Sequence, residues 1–152
     1  MNNLLPLAAL GLFYLNHQKA SYRQSDSDTM PITFSVLGPS AATILLPPTP
    51  EDVTIGDSVL QASIEVFTNQ NIPYVLGGKN NNAYITSINN ITQNDYGSSS
   101  RWFYKVNGTF SSLPPTDYTL KSGDIVEWLY TTNDGIDIGV PFKNTAGKNN
   151  TP

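Results

Sequence analysis

The chain has 152 residues, enough for one domain with its own core, and only 13% of it is charged, about half the usual share. Eight scattered Lys and Arg stand against twelve acidic residues, for a net charge of −4, which excludes a phosphate backbone as partner because nucleic-acid binding needs a basic face. With no cysteine and one histidine, His17, the chain also lacks the means for disulfides, thiolate chemistry, cysteine metal sites or a Ser-His-Asp triad in its main domain. Asn, Ser and Thr supply the polarity instead, as suits an extracellular module or one packed among copies of itself.

In chain order, the first feature is the uncharged apolar run Leu4–Leu15. It is shorter than the roughly 20 residues a membrane-spanning helix needs. It has the length of a signal-peptide core, but Met1-Asn2-Asn3 carries no positive charge and no small-x-small cleavage site follows. Residues 4–24 are mostly helix-compatible, with Pro6 tolerated in a first turn. Apolar residues lie on nearly all sides of the first half, so it must be buried in something. Two readings stand side by side. One is a core or membrane-associated helix, or a retained signal. The other is an assembly or anchor segment, residues 1–24, in which Leu4, Leu5, Leu7, Leu10, Leu12, Phe13 and Leu15 pack against neighbouring subunits or a membrane. Residues 25–31 are polar, end in Pro31 and read as a linker.

The main domain is expected over 32–140, followed by a polar tail, 141–152. Ile32–Leu37 alternates and predicts a first strand; Gly38-Pro39-Ser40 turns it. Thr43–Leu46 predicts the hairpin partner, stopped by Pro47-Pro48, with 47–52 running along an edge or outside the sheet. Val53–Ile55 is a short extended piece. Ser58-x-x-Gln61 is a capping box that opens a helix over 58–70, whose apolar face holds Leu60, Ile64 and Phe67. Tyr74–Leu76 and Ala83–Ile88 are strand candidates around an exposed tip at 79–82.

Trp102–Val106 and Ile125–Tyr130 alternate strictly and hold both tryptophans. Asn107-Gly108 predicts a type I′ hairpin turn. Gly123 supplies a second turn before the last strand. A hairpin, one helix packed across it and further strands make an α+β fold, best matched by a β-grasp-like mixed sheet with the 58–70 helix in its palm and the apolar segment, read as helical, ahead of it.

Residues 32–130 resemble the transcobalamin-like C-terminal domain family, a ubiquitin-like β-grasp module found mostly in bacterial surface proteins. The resemblance is carried by Ile32-Thr-Phe-Ser-Val-Leu-Gly-Pro, the 53–66 region and Tyr84-Ile85-Thr86-Ser87-Ile88. Its most specific parts are Trp102-Phe103-Tyr104-x-Val106-Asn107-Gly108 and Tyr118-x-Leu120-Lys121-x-Gly123-Asp124-Ile125-Val126-Glu127-Trp128. It implies the fold, and cobalamin as a ligand closed against a separate helical domain, which residues after 132 do not supply. Arg101 stands where many relatives have Gly, so the contact loop is expected to differ.

No constellation of catalytic residues is visible, so the chain reads as a non-enzyme. Asp134-Gly135-Ile136-Asp137 offers too few oxygens for calcium and reads as a solvated turn; no metal site is expected. Alternating strand aromatics favour core packing for the tryptophans. A ligand platform would use Tyr84, Tyr96, Trp102 and Tyr104. Three Asn-x-Thr triplets begin at Asn90, Asn107 and Asn149. Asn107 already has a turn role, leaving Asn90 and Asn149 as glycosylation candidates.

The first functional expectation is a structural module outside the cell or on its surface, without cofactor. It would be a pilus-like filament subunit whose partners are copies of itself or other surface proteins, with membrane contact through 4–15. The alternative is a module that binds a small ligand of cobalamin type.

Overall fold

A computed structural model describes residues 28–141. The apolar segment 1–24, residues 25–27 of the proposed linker and Asn149 lie outside the described residues. The elements are β1 (Thr29–Leu37), β2 (Ile44–Thr54), α1 (Val59–Asn69), β3 (Tyr74–Gly77), β4 (Tyr84–Ile88), β5 (Ile91–Thr92), β6 (Arg101–Val106), β7 (Thr109–Phe110) and β8 (Ile125–Thr131). A single 3₁₀ turn, Asn80–Asn82, joins β3 to β4. The fold is mostly β, with one α-helix among the described residues.

Five strands form a mixed sheet in the order β2-β1-β8-β6-β7. Its centre is the parallel pair β1 and β8, which sets Phe34 opposite Val126 and Val36 opposite Trp128. The other pairings are antiparallel. β3, β4 and β5 do not continue this sheet; they make a second, three-stranded one. The single sheet expected from the sequence is corrected on this point.

Two boundaries are corrected as well. Residues 29–31, read as the end of a linker, belong to β1, where Thr29 pairs with Thr54 and Pro31 with Asp52. β2 is not stopped by Pro47-Pro48. It runs through Pro47, Pro48 and Pro50 to Thr54, and so absorbs both the 43–46 strand and the 53–55 piece. The reason is its place at the sheet edge, as the prolines had suggested. An edge strand needs donors on one side only, so a missing N–H on the other side breaks no ladder bond. Register shifts between Phe34 and Leu37 take up the remaining irregularity.

Period-two alternation puts Phe34 and Val36 of β1, Trp102, Tyr104 and Val106 of β6, and Val126, Trp128 and Tyr130 of β8 into the core. α1 lies against these strands. Its buried residues are Val59, Leu60, Ala62, Ser63, Val66 and Phe67. Phe67 meets Phe34 edge-on with ring centroids 5.7 Å apart. Each such apolar side chain contributes roughly 1.5–3 kcal/mol by leaving water.

The capping box forms as read: Gln61 N donates to Ser58 Oγ at 3.3 Å, and Ser58 N donates to Gln61 Oε1 at 3.0 Å. Two further N–H groups of the first turn are taken by the loop between β7 and β8. Val59 N donates to Tyr118 O at 2.9 Å, and Leu60 N to Pro115 O at 2.8 Å. Most of the donors that a helix leaves unpaired at its start therefore hold a loop in place. Among the described residues no helix is long and apolar enough to cross a membrane.

Candidate functional site

The register of β6 on β8 sets Trp102 opposite Tyr130 and Tyr104 opposite Trp128. Trp102 and Tyr130 meet edge-on at 5.0 Å, and Tyr104 lies 5.5 Å from Trp128. Every polar tip in this row is bonded inside the protein. Trp102 Nε1 donates to Ile91 O at 2.9 Å, Tyr104 Oη to Leu113 O at 2.7 Å and Trp128 Nε1 to Ser63 Oγ at 2.8 Å. Tyr130 Oη donates to Thr92 O at 2.7 Å and lies 3.0 Å from Ser100 Oγ. Burial pushes the Tyr104 phenol above its ordinary range. The row is first of all structural: Trp102 and Trp128 are 8% and 2% exposed.

One flank of the row is open. A pocket of about 210 Å³ has Trp102, Tyr104 and Trp128 as its walls. Tyr84 and Ile85 of β4 form one rim, and Leu113 and Pro115 of the β7–β8 loop the other, with Ser111 beside them. The second rim is held by the same Leu60 N–Pro115 O bond that starts α1.

Tyr84 is half exposed, and its ring lies across Gly77. A Cβ at Gly77 would fall 2.8 Å from Tyr84 Cζ and 2.7 Å from Thr86 Cγ2, so a larger residue there would push the ring and the threonine aside. No charged residue lines the pocket.

The structure thus brings together Tyr84, Trp102 and Tyr104 of the four proposed ligand residues. Tyr96 stands apart, exposed on the 95–100 loop, with its ring edge-on to Tyr130 at 5.7 Å. Ile85, Ser111, Leu113 and Pro115 line the pocket but were not among the proposed ligand residues. Asn90 is exposed at the tip of the β4–β5 hairpin, where Asn89 and Asn90 take φ of 49° and 64°. The Asn107 side chain is engaged in its turn: Nδ2 donates to Asp124 Oδ1 and Oδ1 accepts from Ile125 N, both at 2.9 Å.

Asp134 and Asp137 are engaged separately. Asp134 pairs with Arg101. Partial burial pushes the Asp137 carboxyl up, but hydrogen bonds from Thr131 and Thr132 outweigh this and hold it below the usual carboxylate range. Among the described residues no group of three or more His, Asp or Glu gathers to hold a metal ion. Asp57, beside the helix cap, is 7% exposed and its Oδ2 has no hydrogen-bond partner. Burial first, then the nearby Glu65 carboxylate, raise its pKa.

Two larger surface hollows lie elsewhere. One, of about 430 Å³, lies between the capping box and Asn80, Asn81 and Asp117. The other, of about 480 Å³, lies at the ends of β1 and β8 beside Asp137.

A search of solved structures finds haptocorrin in complex with Cbi, with 18% identity and a TM-score of 0.57. The match covers 69% of this chain but 25% of the haptocorrin chain, so the likeness is one of fold and concerns about a quarter of that protein. A protein of Ruminococcus gnavus ATCC 29149, named for a suspected metal-binding role, matches with 16% identity and a TM-score of 0.47, over 66% of this chain and 95% of its own. No curated protein matches the sequence. A family model described as a domain of unknown function, DUF4430, matches residues 56–132, from the turn before α1 to the end of β8. That region is half of the chain and contains the pocket, and the chain belongs to the DUF4430 family.

Proposed function

We propose that the chain is a non-enzymatic module, secreted or held at the cell surface, that binds a small ligand of cobalamin type, and that its fold is the β-grasp of the transcobalamin-like family. The observation that carries this reading is the meeting of Tyr84, Trp102 and Tyr104 in one pocket. It gains support from the haptocorrin-like fold and from a composition poor in charge. A pocket of about 210 Å³ is too small for a whole corrinoid, so the ligand would touch it with one part and be closed over by another domain or chain. Residues 4–15 remain the candidate for assembly or anchoring, the reading in which the chain is a pilus-like subunit.

Absorbance titration of the full chain with cobalamin and with cobinamide tests the proposal. Saturable binding is expected, weakened about tenfold by Tyr84→Ala, the loss of one aromatic contact. A flat titration with both corrinoids would sink it.

A further inference from the structure

We infer that the aromatic pocket takes a neutral, flat, ring-sized group, with Tyr84 as the residue that binds its polar edge. This rests on the binding-module reading and names the chemistry of the part that enters. Size sets the first limit. A cavity of about 150 Å³ suffices for benzene, and this one has about 210 Å³, room for a single substituted ring. Shape sets the second, since two indoles and a phenol make the walls, and such surfaces favour a ring that can stack or meet them edge-on.

Charge sets the third limit. No Lys, Arg, Asp or Glu lines the pocket, so an ion entering it would give up part of its hydration with no opposite charge to replace it. The indole N–H groups and the Tyr104 hydroxyl are already committed to Ile91, Ser63 and Leu113, so they offer a ligand no donor. Ser111 Oγ is occupied by the Leu113 backbone. Among the described residues, the lining side-chain hydroxyl without a hydrogen-bond partner is that of Tyr84, whose ring tip lies against Gly77. A ring bearing a hydroxyl or amide at one edge would satisfy both the apolar walls and this single partner.

The test uses ¹⁵N-labelled full-length chain titrated with p-cresol and, separately, with benzoate, a flat anion of similar size. p-Cresol should shift the indole N–H signals of Trp102 and Trp128, and benzoate should bind at least about tenfold more weakly. Tyr84→Phe should weaken p-cresol binding by roughly three- to tenfold through the lost hydrogen bond. Leu113→Trp, at an exposed loop position, should fill the mouth and abolish the shifts.

Equal responses to the two probes, shifts that persist in Leu113→Trp, or no shift with p-cresol would each overturn the inference. Corrinoid titration of the same samples keeps the two proposals apart. Ring binding without corrinoid binding removes the corrinoid reading alone, and corrinoid binding without ring binding removes the ring pocket alone.

Discussion

At the scale of single residues, the buried polar atoms decide most. Ser63 sits on the helix face that touches the sheet, where its hydroxyl donates to Val59 O at 2.6 Å and accepts from Trp128 Nε1 at 2.8 Å. Ser63→Ala leaves a buried indole N–H without a partner and should cost about 1–3 kcal/mol by urea denaturation. Asp57 acts in the other direction. Its folded-state pKa is raised above the ordinary 3.8 by burial and by Glu65 on the facing turn of α1, so the folded state holds more protons than the unfolded chain above that value. Stability should therefore fall as pH rises from the ordinary carboxylate range through the raised pKa. Asp57→Asn should flatten that part of the stability–pH curve, measured by denaturation at successive pH values. An unchanged slope would assign it to other groups. The sequence named the cap beside Asp57 but gave no sign that Asp57 was buried, because burial there depends on the β7–β8 loop and the end of β2.

At the scale of elements, local rules carried far. Asn107 and Gly108 take φ of 52° and 76°, as a type I′ turn requires. The same turn at Asn89-Asn90 went unread because Asn-Asn is a weaker signal than Asn-Gly. β2 shows the opposite error. Three prolines argue against a strand locally, and its edge position, with the register shift that leaves Pro47 and Pro48 unpaired, removes the penalty. Gly78, after β3, is the tightest glycine. It has φ of 72°, and a Cβ there would overlap the backbone carbonyl of Asn82 in the 3₁₀ turn. Gly78→Ala should destabilise by more than about 1 kcal/mol and loosen the β3–β4 connection that carries Tyr84. Thermal unfolding would measure the loss, and amide hydrogen exchange at Tyr84 and Ile85 would locate it.

At the scale of the whole molecule, residues 28–141 hold a core built from both sheets and α1. A fragment of those residues should fold alone, unfold cooperatively and sediment as one species. Comparing the full chain with residues 28–152, the fragment that lacks only 1–27, isolates what those residues contribute. If the full chain associates and the fragment does not, the apolar run Leu4–Leu15 is the assembly segment, whereas the same sedimentation for both would remove that role. The sequence by itself determined the helix with its cap, the alternating strands, the Asn-Gly hairpin and the aromatic row, because these depend on spacings of two to four residues and on turn dihedrals. Only the tertiary structure decided that β1 lies parallel to β8, that β3–β5 form a separate sheet, and that Tyr84, Leu113 and Pro115 close around Trp102 and Tyr104. Those contacts join segments far apart in the chain, and no local pattern records which loop will meet which strand until the helix, its bonded loop and the sheet have packed together.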